Sequence, residues 1–349
     1  MTPSDLASPP AKPQTRAALV ALSTLLLSAG CGLEEIPRRS AVSPRPTETP
    51  GPEPSEPASG APTTTTDPGS DPQAPPPPAE KPPPAEPGVT LDGRFVRRQD
   101  IVVFLHIGHS NMAGRATGPD ELRPFFYDPH PRLFAYRQGG QFQPASEPLA
   151  PDDSTDGRAG PGMAILRWAL EHGASPDTIF VSVGHGHSGT YGGNCRGFRR
   201  EGLLYDLVMA PARELKGKVT FGGIFTMLGQ SEHRATAEQQ RQFAQCLAGV
   251  AREMREDLDE PELPFLVGDY ERGINRDDIG PTTAFAQGIM AQIAMVPELV
   301  ERSAVIATDG LPMEDTHHFD MEGHKGWAER GIQLLVQKDW APWAKPPPP

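Results

Sequence analysis

The chain has 349 residues, among them 42 prolines and 36 glycines, and a formal net charge of -13. The prolines cluster: 18 fall between Pro37 and Pro87 and 5 between Pro342 and Pro349, against 15 in the 254 residues from Gly88 to Ala341. One folded domain is therefore expected over 88–341, long enough to bury a sizeable core. Residues beyond 87 carry -9 of the charge, which argues against nucleic acid as a partner, because phosphate backbones demand clustered Lys and Arg.

Residues 1–31 read as an export signal. Lys12 and Arg16 give the positive flank, Ala17 to Leu27 the apolar stretch, and Ser28-Ala29-Gly30-Cys31 a small-residue cleavage site. The apolar stretch is too short for a membrane helix. Leu-Leu-Ser-Ala-Gly-Cys resembles a bacterial lipobox, with Ser28 in place of the usual Leu. That resemblance implies lipidation at Cys31 and a mature chain tethered to an outer membrane or cell surface, touching the membrane through the lipid anchor only. The alternative is an ordinary secretory signal. Residues 32–87, rich in Pro, Thr and Glu, are expected to be a disordered tether. Fully extended, these 56 residues would span on the order of 170 Å at ~3.1 Å per residue. Residues 342–349 form a Pro-rich tail. Cys195 and Cys246 are the other cysteines; an oxidising compartment permits a bridge between them, the alternative being two buried thiols.

From Asp100 onward apolar runs alternate with helical patterns. Ile101 to Ile107 is the first strand expected, followed by a helix over Met163 to His172 and a second strand over Thr178 to Val183. A helix over Leu203 to Lys216 leads to a third strand within Val219 to Leu228. Thr236-x-x-Gln239 is a possible capping box opening a helix to Leu258, with Phe243, Leu247, Val250, Met254 and Leu258 on one stripe. Strands at Pro264 to Asp269 and Ser303 to Thr308 and a helix over Glu322 to Lys338 complete the pattern. Buried strands alternating with helices imply a parallel sheet covered on both faces.

Ligands of such sheets bind beyond the carboxyl ends of the strands. The first strand runs into Gly108-His109-Ser110-Asn111-Met112-Ala113-Gly114-Arg115, the second into Gly184-His185-Gly186-His187-Ser188-Gly189-Thr190, and the third into Leu228-Gly229-Gln230-Ser231-Glu232. Asp315-Thr316-His317-His318-Phe319 precedes the last helix. A serine nucleophile needs a base, and the base needs a carboxylate to hold its tautomer. Ser110, His318 and Asp315 can supply the three roles, because a three-residue spacing on a turn lets Asp315 reach Nδ1 of His318 and leaves Nε2 for Ser110. Taken alone, a serine after a strand is ordinarily a helix cap.

Together these segments resemble a known family. Gly-His-Ser-Asn-Met-Ala-Gly-Arg is similar to the Gly-Gln-Ser-Asn-Met-Ala-Gly-Arg block of the SGNH-hydrolase branch that holds sialate O-acetylesterases and the family-six acetylxylan esterases. Asp315-Thr316-His317-His318-Phe319, followed by Gly323, resembles that branch's closing Asp-x-x-His-Phe block. The resemblance implies a three-layer α/β/α sandwich on a five-stranded, doubly wound parallel sheet of flavodoxin type. It also implies Ser110 as nucleophile, His318 as base and Asp315 as its orienting partner, with no cofactor. An oxyanion-hole glycine is matched by Gly189 in preference to Gly186. Where the family commonly has Gln-Gly-Glu-Ser-Asp, this chain has Leu228-Gly229-Gln230-Ser231-Glu232, and Gln230 is the candidate side-chain donor, since a neutral amide donates to an oxyanion and a carboxylate does not.

The expectation is a metal-independent serine esterase acting on an acetylated carbohydrate, its oxyanion hole made by Ser110, Gly189 and Gln230. Two other readings compete. His185-x-His187 could ligate zinc in a metal hydrolase, or the fold could carry a glycan-binding lipoprotein without turnover.

Overall fold

The computed structural model describes residues 86–137, 139–151, 157–187, 194–269, 283–315 and 317–345, with backbone alone at 233, 234, 283 and 284. The expected signal, Cys31 and all of the expected tether but residues 86 and 87 lie outside the described residues, as does Gly189.

A hairpin of β1 (Gly88–Leu91) and β2 (Arg94–Arg97) precedes the main sheet. β3 (Ile101–Gly108) is buried at every position, as a strand covered on both faces must be. After it come α1 (Ser110–Ala113), α2 (Arg123–Tyr127), β4 (Leu133–Arg137), β5 (Gln141–Pro144), α3 (Gly162–His172) and β6 (Ile179–Gly186). The chain continues through α4 (Tyr205–Leu215), β7 (Thr220–Met227), α5 (Ala237–Arg241), α6 (Phe243–Leu258) and β8 (Phe265–Gly268). It closes with α7 (Thr283–Ala294), α8 (Val296–Leu299), β9 (Ser303–Ile306) and α9 (Met321–Gln337).

The sheet order is β5-β4-β6-β3-β7-β8-β9. All neighbours are parallel except β4 and β5, which pair antiparallel at one edge. The five strands expected from the sequence are β6, β3, β7, β8 and β9, in the 2-1-3-4-5 order of a flavodoxin-like sheet. The strand count is corrected from five to seven. β4 and β5 lie between the first expected strand and the helix expected from Met163, where the sequence pattern gives no strand. β4 is only five residues long, and β5, Gln-Phe-Gln-Pro, has no buried residue and ends in a proline that an edge tolerates. The single helix expected over 236–258 is two, α5 and α6, meeting at Gln242. The capping box does form: Gln239 N–H donates to Thr236 Oγ1, and Gln239 accepts from Thr236 N–H.

Alternation along β3 divides the core. Ile101, Val103, Leu105 and Ile107 pack into the layer of α4, α6 and α7. Val102 and Phe104 pack into the layer of α3 and α9, where Phe104 meets Phe180, Phe225 and Trp343. Helices on both faces thus leave only the strand ends open. Among the described residues no helix is long and apolar enough to cross a membrane.

Candidate active site

β3 lies between β6 and β7, so Gly108 at its end sits opposite Gly186 on one side and Met227 on the other. A Cβ at Gly108 would lie 2.6 Å from the Met227 carbonyl oxygen, and one at Gly186 2.4 Å from Ala113 Cα. Only glycine at both positions lets α1 settle onto the strand ends. Ser110 opens α1, at the switch point between β3 and β7 where sheets of this order bind ligands.

The Ser110 Oγ is 2.9 Å from Nε2 of His318, and the other ring nitrogen, Nδ1, is 2.8 Å from Asp315 Oδ2. Asp315 Oδ1 accepts from the backbone N–H groups of His317 and His318 at 2.7 and 2.8 Å. Burial alone would raise the Asp315 carboxyl, but the hydrogen bonds from the His318 ring and these two N–H groups outweigh it and hold the pKa at about 2. The turn itself is closed by Glu314 N–H donating to His318 O at 2.8 Å. Glu314 is held from the other side by the Thr117 N–H, 2.7 Å from its carboxylate.

Asn111 ties the two halves together. Its amide Nδ2 donates to the His317 carbonyl at 2.8 Å, and its Oδ1 accepts from Phe319 N–H at 3.0 Å. The side chain is fully buried and grips the backbone on both sides of His318. The sequence motif contains Asn111, yet nothing in its spacing identifies the segment it holds, and this role was not foreseen.

The third block is joined to the first. His109 N–H donates to the Met227 carbonyl at 2.9 Å, and Ser231 N–H approaches His109 Nδ1 at 3.4 Å. Gln230, nearly buried, begins the short helical turn after β7. Glu232 is buried too and accepts from Cys195 N–H at 2.7 Å; burial pushes its carboxyl up to about 7 despite that bond. A disulfide joins Cys195 to Cys246. A cleft of about 700 Å³ beside this bridge is lined by Glu232, Arg196 and Gln239 but does not reach Ser110.

The structure therefore brings Ser110, His318 and Asp315 into one chain of hydrogen bonds and sets Gln230 on the adjoining strand end. The histidines of the zinc reading lie at the end of β6. His185 pairs across the sheet with Ile107, and His187 N–H donates to Gly108 O at 2.9 Å. Among the described residues the close group of potential ligands is Asp315, His317 and His318 and contains neither.

A family model described as carbohydrate esterase, sialic acid-specific acetylesterase, matches residues 100–336. The chain belongs to this family. It is accordingly a carboxylic ester hydrolase by kinship, on the α/β sandwich described above. No curated protein sequence matches it. A protein of known structure from Arabidopsis thaliana is similar in fold, with a TM-score of 0.54 and 18% identity over 68% of this chain and 98% of that one. A carbohydrate acetylesterase from Xanthomonas citri has a TM-score of 0.49 and 14% identity, covering 68% of this chain and 56% of its own. A catalytic mutant of an acetylxylan esterase from Geobacillus stearothermophilus has a TM-score of 0.42 and 11% identity, over 70% and 97% of the two chains.

Proposed function

We propose that this esterase removes O-acetyl groups from a carbohydrate through an acyl-serine intermediate, with no metal in the reaction. The observation that carries the reading is the unbroken run from Ser110 Oγ through His318 to Asp315, with contacts of 2.9 and 2.8 Å. A neutral His318 with its proton on Nδ1, facing the ionised Asp315, offers the Nε2 lone pair to the serine hydroxyl. Ser110 Oγ attacks the acetyl carbonyl while its proton passes to His318 Nε2. The tetrahedral oxyanion is stabilised by the Ser110 N–H, free of any intrahelical acceptor at the first position of α1, together with the Gly189 N–H and the Gln230 amide. His318 then gives its proton to the departing sugar oxygen, leaving acetyl-Ser110. A water deprotonated by His318 attacks the acyl carbonyl, the bond to Ser110 Oγ breaks as His318 Nε2 returns the proton to that oxygen, and acetate leaves.

The description of the matching family supports an O-acetylated sialic acid as the leading substrate, with acetylxylan next. Export as a lipoprotein anchored at Cys31, with residues 32–87 as a tether, belongs to the same proposal: such an enzyme would meet extracellular glycan.

A fluorophosphonate probe tests the nucleophile. Intact mass should show one adduct, mapping to Ser110, absent in Ser110→Ala and undiminished by a chelator. Labelling elsewhere, or none in active protein, would overturn the reading.

A further inference from the structure

We infer that Asp315, His317 and His318 together form a binding site for zinc or a similar transition-metal ion, and that its occupation turns the esterase off. The inference rests on the proposed role of His318 as base. One ligand atom from each residue lies within 4.8 Å of the other two. His317 Nδ1 is 3.7 Å from Asp315 Oδ1, and His318 Nδ1 is 2.8 Å from Oδ2. Ligands bound tetrahedrally at ~2.1 Å from zinc stand about 3.4 Å apart, so the His317–Asp315 pair needs little adjustment, whereas the His318–Asp315 hydrogen bond has to open by about 0.6 Å to admit the ion. The imidazole rings are neighbours, with centroids 4.4 Å apart. The side chains of His317 and Asp315 are 47% and 45% exposed, so an ion enters from solvent without any opening of the fold.

The backbone already fixes these donors. Asn111 holds the turn at His317 O and Phe319 N–H, and Glu314 closes it onto His318 O. Apart from opening the His318–Asp315 hydrogen bond, the metal has only side-chain positions to adjust. Two imidazoles and a carboxylate favour zinc, copper or nickel over magnesium or calcium, which prefer oxygen ligands. Three protein ligands and a water complete a tetrahedral zinc shell.

Occupation would reverse the polarity of the base. A neutral imidazole carries one ring proton. Zinc on the Nδ1 lone pair of His318 displaces the proton from that nitrogen, and it passes through solvent to Nε2. The nitrogen 2.9 Å from Ser110 Oγ then donates where it has to accept, and Ser110 keeps its proton. His317 makes the difference, because without its ring only an ordinary Asp-His pair remains to hold the ion.

The full chain, stripped with chelator, is assayed on an aryl acetate against added Zn²⁺ or Mg²⁺, and zinc binding is measured by calorimetry. Zinc should inhibit, EDTA should restore the rate, and magnesium at equal concentration should do neither. His317→Gln alters a side chain outside the proposed reaction, so it should keep its zinc-free rate within about threefold and need about tenfold more zinc for both inhibition and binding. Equal zinc dependence in variant and parent, no inhibition up to roughly 1 mM, or activation by zinc would overturn the site. The zinc-free rate reports separately on the esterase reading: a parent chain inactive without metal would contradict that reading, while calorimetry still decides whether His317 binds zinc.

Discussion

Asn111 does for the proposed base what the strand end does for the proposed nucleophile. It follows Ser110 directly in the chain and grips the backbone either side of His318 at 2.8 and 3.0 Å, so one buried amide sets the distance between the two reacting groups. Asn111→Ala should lower kcat by roughly 10²-fold, the scale expected when reacting groups shift by about 1 Å, with KM for a small aryl acetate little changed. Asn111→Asp keeps the acceptor for Phe319 N–H but sets a carboxylate against the His317 carbonyl, and should be no better. Steady-state kinetics with a near-normal kcat for both variants would show that the turn holds His318 without Asn111. Ser110, Asp315 and His318 were legible from the sequence because the two blocks that hold them resemble those of a known family, and acyl transfer gives their residue types complementary roles. The work of Asn111 was not, because its partners lie 206 and 208 positions away.

At the level of elements, long apolar runs announced β3, β6 and β7, since burial on both faces leaves them mostly apolar, with His106, Ser182 and Thr226 among the few polar positions. β4 and β5 were hidden because a short strand and an exposed edge leave almost no pattern. The segment after β7 shows what periodicity cannot report. Glu232 there is buried against the Cys195 N–H beside the Cys195–Cys246 bridge. Its carboxyl is raised by burial from 4.5 to about 7, so the folded state favours the neutral acid. This contribution to stability is full below about pH 4.5 and is lost as pH rises through about 7, roughly 3 kcal/mol across that window. Glu232→Gln removes the titration. Its unfolding free energy relative to the parent should therefore climb between about pH 4.5 and 7 and level off above, read from denaturant midpoints. A difference that stays constant over that range would mean Glu232 ionises in the fold as readily as in the unfolded chain.

On the scale of the whole molecule, the 2-1-3-4-5 order of the five strands brings the first block and the third block side by side at the switch point, and the long return to α9 carries His318 over them. Helices cover both faces of the sheet, so the site has only the strand-end rim on which to form. This much followed from alternating strands and helices together with two motifs near the ends of the domain. The proposed oxyanion donors rest on less, because the third block departs from the family pattern at Leu228, Gln230 and Glu232, and a glycine donor acts through its backbone, which no side chain advertises. In the proposed function Ser110 drives deacetylation of a carbohydrate. Acetate release from O-acetylated sialic acid and acetylxylan, measured side by side for the parent chain and Ser110→Ala, tests it most directly. The parent should release acetate steadily from at least one of them, and the variant should lose about 10³-fold or more of that rate. Release that survives the substitution, or a parent that frees no acetate from either, would contradict it.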